Sequence, residues 1–217
     1  MKYDAIFFDL DGTVVDSIQD IADAVNHTMR CFGLPEFSVE ALRPHLGWGV
    51  GHLMEAILPG ASPERREAIL AHYRPYYARH AGDKTRPFEG ILPMLARLRD
   101  DGLTLAILSN KPDAAVQPIA RKYFDDLVAL SVGEVEGVRR KPEPDMLRAA
   151  AEQLGVALER CLYVGDSEVD VDTARNAGID CVCVTWGFRT REELRRAGAE
   201  AIVDTPRALA EFIERAR

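Results

Sequence analysis

The sequence is poor in cysteine and has no excess of positive charge. Its four cysteines show neither a CxxC spacing nor a nearby histidine suggestive of a zinc site, so we predict buried free thiols and a reducing compartment. The net charge of -8 argues against nucleic acid and anionic membranes as partners, because both require a clustered basic face.

Long apolar segments are missing as well. No stretch approaches the roughly 20 apolar residues of a membrane span, and the first residues lack the basic start and apolar run of a secretory signal. We therefore expect a cytoplasmic protein that does not bind membranes. The 217 residues, of which 47% are hydrophobic and 7% aromatic, suffice for one core domain with a modest insertion.

Short apolar runs alternate with segments of helical periodicity. Runs that are apolar on both faces indicate strands of a parallel sheet covered on both sides. We predict an α/β fold with a Rossmann-like open parallel sheet and helices on both faces. Ligands bind beyond the carboxyl ends of such strands. The six runs are Ala5 to Phe8, Leu103 to Leu108, Leu127 to Val132, Cys161 to Val164, Asp180 to Thr185 and Ala201 to Val203.

About 90 residues between the first two runs contain no convincing strand. A three-four apolar spacing from Ile18 to Phe32 predicts a helix. Ser62 and Pro63 are typical of the start of another, which Pro75 is expected to kink or divide. We predict a helical cap domain, residues 16–84, inserted into a core domain of residues 1–15 and 85–217.

Asp9 and Asp11 lie where the first apolar run ends, followed by Gly12. If the strand geometry persists, both carboxylates share a face. Like charges this close repel unless a cation or proton lies between them, and carboxylate oxygens suit a hard cation such as magnesium. The alternative is a strand-ending turn, because Asp and Gly favour turns.

Four ordered motifs carry a resemblance that covers essentially the whole chain. The sequence strongly resembles the haloacid dehalogenase superfamily, in its branch of phosphatases with a helical cap similar to phosphoglycolate phosphatases. Each motif falls near the end of a predicted strand, so all four can meet in one crevice. They are Asp9-Leu10-Asp11-Gly12-Thr13, Leu108-Ser109-Asn110-Lys111, Lys141-Pro142 and Gly165-Asp166-Ser167-Glu168-Val169-Asp170.

The resemblance implies a catalytic role for three of these residues. Asp9 is expected to be the nucleophile that accepts the phosphoryl group, and Asp11 the general acid and base. Lys141 is expected to neutralise the phosphate and the nucleophile. Ser109 matches the phosphate clamp of the family, and Asn110, on the same loop, is a substrate contact.

The resemblance also implies a Mg²⁺ site made by Asp9, Asp166 and the backbone carbonyl of Asp11. Asp170 lies one helical turn after Asp166, and its carboxylate is expected on the metal side. Thr13 is interpreted as orienting its loop, binding phosphate or capping a helix.

Glycines around Trp48 leave backbone amides accessible to a small anion. This segment of the predicted cap contains Gly47 and His52 as substrate-binding candidates, with Arg43 and His45 as further polar residues. The alternative is that this segment is a flexible connection between helices without a binding role.

The expected activity is hydrolysis of a small phosphate monoester, with 2-phosphoglycolate as the leading substrate and a small phosphorylated metabolite as the partner. A sugar phosphomutase, a pyrophosphatase and a non-enzymatic binding protein are the alternatives. The sequence carries no prediction of the oligomeric state.

Overall fold

The computed structural model describes residues 2–216 and shows strands and helices alternating along the chain. In chain order the strands are β1 (Ala5–Phe8), β2 (Val15–Asp16), β3 (Arg86–Pro87), β4 (Thr104–Pro112), β5 (Leu130–Glu134), β6 (Cys161–Gly165), β7 (Asp180–Val184) and β8 (Ala201–Val203). The α-helices are α1 (Ile18–Cys31), α2 (Val39–Leu42), α3 (Val50–Ile57), α4 (Pro63–His80), α5 (Ile91–Asp100), α6 (Asp113–Tyr123), α7 (Asp145–Leu154), α8 (Glu168–Ala177), α9 (Arg191–Arg196) and α10 (Pro206–Arg215).

Six strands form one parallel sheet in the order β5-β4-β1-β6-β7-β8. Alternation along β1 assigns its side chains to two faces. Ile6 and Phe8 belong to the core that includes residues of α5, α6 and α10, and Ala5 and Phe7 to the core beneath α7 and α8. The predicted open sheet with helices on both faces is confirmed. The fifth strand begins at Leu130, later than the apolar run suggested.

Helices α1 to α4 occupy the long interval between β1 and α5. The chain leaves and re-enters the core side by side, because β2 and β3 pair antiparallel. Asp20 holds this junction closed, since its buried carboxylate accepts hydrogen bonds from the backbone of Lys84 and Thr85 and from the Thr85 hydroxyl. The helical content of the interval is confirmed, whereas the cap boundaries at residues 16 and 84 stay a prediction.

Helix α4 begins as the sequence predicts. The Ser62 hydroxyl accepts a hydrogen bond from the Arg65 backbone at 3.3 Å, and Pro63 occupies the first turn. Of the two effects predicted for Pro75, division of the helix does not occur, and a kink there stays a prediction. The helix continues through Pro75 to His80 and buries Ile69 and Tyr73, because tertiary packing outweighs the one backbone hydrogen bond that proline removes.

All four cysteines are free thiols. Cys161 and Cys183 are buried as predicted, Cys181 is half-buried, and Cys31 is exposed at the end of α1, where the prediction of burial is wrong. Among residues 2–216, none of the helices combines the length and the apolar character needed to cross a membrane.

Candidate active site

Asp9 follows the central strand β1 directly and lies among buried polar groups at the carboxyl edge of the sheet. Only 6% of the residue is exposed. The Lys141 ammonium donates to Asp9 Oδ1 at 2.7 Å, to Asp170 Oδ1 at 2.8 Å and to the Tyr163 hydroxyl at 3.0 Å. The loop before α7 thus brings Lys141 against the residue that the sequence analysis assigned as the nucleophile.

Asp9, Asp166 and Asp170 form a cluster of buried carboxylates. One oxygen from each lies within 4.8 Å of the others. When ionised, the three carboxylates carry three negative charges, and the Lys141 ammonium compensates one of them. One divalent cation would compensate the remaining charge of about two. A set of carboxylate oxygens suits a hard cation. The residues therefore fit a metal of the magnesium type.

Two glycines leave room for the Asp166 carboxylate. A side chain at Gly12 would place its first carbon 2.5 Å from Asp166 Oδ2, and Gly12 also has a φ of +87°. A side chain at Gly187 would come within 2.4 Å of the same oxygen. Such separations are far below van der Waals contact, so only glycine fits at either position.

Hydrogen bonds hold the two later carboxylates in place. Asp166 accepts from the Thr13 hydroxyl at 3.0 Å and from the Phe188 backbone at 2.7 Å. Asp170 Oδ2 accepts from the Ser167 hydroxyl at 2.8 Å and from the Ser167 backbone, which makes the capping box of α8. Thr13 therefore supports the carboxylate cluster and caps no helix.

Burial and mutual repulsion govern the charge state of the cluster. Burial raises the pKa of Asp9 to about 7, against the opposing attraction of Lys141. Burial and the neighbouring Asp170 hold the pKa of Asp166 well above its usual range. For Lys141, burial favours the neutral amine, but Asp170 and Asp9 outweigh it and raise its pKa. The site stabilises added positive charge.

Ser109 and Asn110 lie in β4 next to the cluster, and both are buried. The Asn110 amide donates to the Lys141 carbonyl at 2.9 Å and to the Gly47 carbonyl at 3.0 Å, while Lys141 N donates to Asn110 Oδ1. Ser109 Oγ accepts from the backbone of Lys111. Asn110 thus connects the second and third motifs to the segment that contains Gly47.

Asp11 is not one of the three clustered carboxylates and pairs instead with a second buried lysine. Lys111 Nζ donates to Asp11 Oδ1 at 2.8 Å and to the hydroxyl of Tyr77 in α4 at 2.5 Å. The Lys111 side chain is only 1% exposed and that of Asp11 16%. This contact joins a carboxylate of the core to the helical segment, that is, to helices α1 to α4 between β2 and β3. Lys111 belongs to the second sequence motif, but the motif predicted no role for it.

A pocket of about 60 Å³ lies between the sheet edge and the helical segment. A water needs roughly 10–15 Å³, so the pocket is large enough to admit a small ligand. His52 is outside this lining and faces Trp48 instead, with ring centroids 5.6 Å apart. The lining includes Asp9, Asp11, His45, Gly47, Tyr73, Tyr77, Ser109, Asn110, Lys111 and Phe188.

Arg189 binds the helical segment to the core beside this pocket. Its guanidinium pairs with Glu168 at 2.7 Å and donates to the carbonyl of Leu46 at 2.9 Å, and it also reaches the carbonyls of Arg43 and Pro44. Glu168 accepts a further hydrogen bond from Trp48. Burial opposes the Glu168 charge, yet Arg189 outweighs it and lowers the Glu168 pKa. In the sequence, Arg189 is one arginine in the loop after β7, and no motif there marks it as functional.

Comparison with known proteins agrees with this geometry. The model of the haloacid dehalogenase-like hydrolases matches residues 3–178. Among curated relatives, phosphoglycolate phosphatase of Xanthomonas campestris pv. campestris is 34% identical over 87% of this chain and 86% of its own length. The N-acetylmuramic acid 6-phosphate phosphatase of Pseudomonas aeruginosa is 31% identical over 100% and 97%.

Solved structures show the same likeness in three dimensions. The crystal structure of a protein assigned as phosphoglycolate phosphatase from Lactobacillus delbrueckii subsp. bulgaricus superimposes with a TM-score of 0.93 at 38% identity, covering 98% of this chain and 99% of that one.

Proposed function

This chain belongs to the haloacid dehalogenase-like hydrolases and is a phosphatase, and we propose that it hydrolyses a small acidic phosphate monoester with Mg²⁺ through an aspartyl-phosphate on Asp9. The observation that carries the proposal is the position of Asp9. It is buried, hydrogen-bonded to Lys141, grouped with Asp166 and Asp170, and open to the pocket. That combination suits a nucleophile working under compensating positive charge.

In the first step, a carboxylate oxygen of Asp9 attacks phosphorus and the bond to the ester oxygen breaks. Asp11 gives a proton to the departing oxygen. In the second step, Asp11 takes a proton from water as the water oxygen attacks phosphorus, and the Asp9 carboxylate is released. Ser109 and the neighbouring backbone amides bind the phosphoryl oxygens, and Lys141 keeps Asp9 oriented.

Asp9, Asp166 and Asp170 would hold the Mg²⁺, together with the Asp11 carbonyl that the family resemblance implies. When bound, the ion compensates the negative charge of the carboxylates and of the phosphate. Because only the backbone carbonyl of Asp11 would bind the ion, its side chain stays available for proton transfer beside Lys111.

Lys111 favours a substrate with a second anionic group. Its ammonium is buried in the pocket lining and faces Asp11. When Asp11 turns to the ester oxygen and carries a proton, the Lys111 charge needs another partner. A carboxylate on the leaving group would supply one. Asp9 and Lys111 would then bind opposite ends of one small molecule.

Both substrates named for the relatives, phosphoglycolate and N-acetylmuramic acid 6-phosphate, are acids as well as phosphate monoesters. The smaller molecule, phosphoglycolate, is the substrate named for the Xanthomonas relative and for the structural neighbour from Lactobacillus. We therefore propose 2-phosphoglycolate as the substrate of this enzyme.

The test is phosphate release from 2-phosphoglycolate, N-acetylmuramic acid 6-phosphate, ethyl phosphate and pyrophosphate, each with and without Mg²⁺. We expect Mg²⁺-dependent release that is fastest with 2-phosphoglycolate and falls by about 10³-fold or more in Asp9→Asn. Asp172→Asn is the matched control, because Asp172 lies on α8 but pairs with Arg175 outside the cluster. Turnover that survives in Asp9→Asn would refute the nucleophile, and preference for ethyl phosphate would refute the acidic substrate.

A further inference from the structure

A second group of metal-ligating side chains lies on the helical segment, apart from the residues of the active site. His27 and Cys31 are one helical turn apart on α1, and His72 comes from α4, which packs against α1. One ligand atom from each lies within 4.8 Å of the others. We predicted from the sequence that no cysteine has a histidine nearby that would suggest a zinc site. That prediction is wrong for Cys31.

The separations match those of a tetrahedral metal site. Cys31 Sγ lies 3.8 Å from His27 Nε2. Zinc bonds of about 2.3 Å to sulfur and 2.05 Å to nitrogen at a tetrahedral angle place the two ligand atoms about 3.6 Å apart. The Cys31–His27 separation is therefore close to that of two ligands on one zinc ion.

Aromatic packing holds the histidine rings in a defined orientation. The His27 ring stacks on Tyr76 of α4 with centroids 3.7 Å apart and planes 7° from parallel. The His27 and His72 rings lie nearly parallel at 5.8 Å, and Phe32 meets the edge of His72. Ring packing therefore brings the histidines of α1 and α4 together.

Three positively charged or ionisable side chains lie near the group. Arg30 is paired with Glu36, His80 contacts Asp83, and Arg79 donates to the carbonyl of Pro75. Cys31 and His72 are exposed, which gives a metal access from solvent.

We propose that His27, Cys31 and His72 form a binding site for a borderline-soft divalent cation, represented by Zn²⁺, that ties α1 to α4. Two imidazoles and one thiolate are the ligand types that zinc prefers over magnesium. Binding releases the thiol proton of Cys31, and water completes the tetrahedral set on the exposed side.

Cobalt provides the direct test, because a thiolate bound to Co²⁺ gives a charge-transfer band in the near ultraviolet. The full-length protein is stripped with a chelator, returned to excess Mg²⁺ to occupy the carboxylate cluster, and titrated with Co²⁺. We expect one equivalent to produce the band. The band should disappear in Cys31→Ala, and the apparent affinity should fall at least about 10-fold in His72→Ala.

One control separates this site from the carboxylate cluster. Asp166→Asn, which alters the carboxylate cluster, should keep the band. Absence of the band in the wild-type protein, or its persistence in Cys31→Ala, would overturn the proposal, because the signal would then be missing or come from another thiol.

Thermal unfolding gives a second readout. Zn²⁺ at about 100 times its dissociation constant should raise the Tm of the wild-type protein by about 5 to 10 °C and leave that of Cys31→Ala unchanged. Both substituted side chains, at residues 31 and 72, are exposed, so the metal-free variants should melt close to the wild type. An equal Zn²⁺ shift in the variant would contradict the proposed ligands.

Discussion

The buried contact of Arg189 makes a sharp prediction about how the helical segment is held on the core. Arg189→Gln removes the ion pair with Glu168 and the hydrogen bonds to three backbone carbonyls. The Arg189 side chain is 5% exposed and that of Glu168 31%, so the ion pair itself is partly screened. The carbonyl contacts contribute roughly 1 kcal/mol each. We expect a loss of about 3 kcal/mol in the free energy of unfolding.

Arg191 supplies a matched control two residues further on. It also pairs with a carboxylate, that of Asp204 at 2.6 Å, but both side chains are at least 36% exposed. Exposed pairs contribute at most about 1 kcal/mol. Arg191→Gln should therefore have a small effect, although it removes the same functional group.

The assay is urea unfolding at constant pH, with the slope compared between proteins, together with thermal melting. Arg189→Gln should lower the Tm by about 6 to 12 °C. It should also reduce phosphatase activity, because the carbonyls of residues 43, 44 and 46 precede the pocket wall at Gly47. Equal stability losses in the two variants, within about 0.5 kcal/mol, would refute the reasoning from burial.

Three further predictions concern the carboxylates and their lysine. Lys111→Met should lower kcat/KM for 2-phosphoglycolate about 10- to 100-fold more than for ethyl phosphate; equal losses on both esters would exclude pairing with the substrate carboxylate. Asp166→Asn should raise the Mg²⁺ concentration for half-maximal phosphate release at least about 10-fold, and an unchanged requirement would contradict a ligand role. In metal-free protein, the Asp9 pKa of about 7 exceeds its usual value of 3.8, so the folded state binds the proton more tightly. Stability should therefore fall by about 3 kcal/mol between pH 5 and 8 relative to Asp9→Asn. Urea unfolding at both pH values measures this difference; a wild-type stability that rises relative to the variant would show that the sign is wrong.

Short-range sequence patterns predicted the secondary structure well because their causes are local. The apolar run Ala5 to Phe8 became the central strand, and the Ser62-Pro63 pair became the start of α4. Pro75 shows the limit of such reasoning. Proline removes one backbone hydrogen bond of a helix. Whether the helix nevertheless continues depends on the apolar side chains that its other residues bury.

The motifs predicted that Asp9, Asn110 and Asp166 lie close together, because each is near a strand end and the ends of parallel strands meet at one edge. Lys141 reaches them from the loop before α7. Other contacts carry no comparable signal. Lys111 in β4 and Tyr77 in α4 meet through tertiary packing, and no short-range pattern in the sequence predicts this contact.

The sequence by itself determined the α/β class, the long helical interval and the ordered motifs, since these follow from apolar periodicity and from residue types that recur at fixed short spacings. Only the tertiary structure decided the partners of Asp11 and Arg189 and the meeting of His72 with His27 and Cys31. Those contacts depend on how helices pack across the sheet edge and against each other, and side-chain direction in three dimensions is not a local property of the chain.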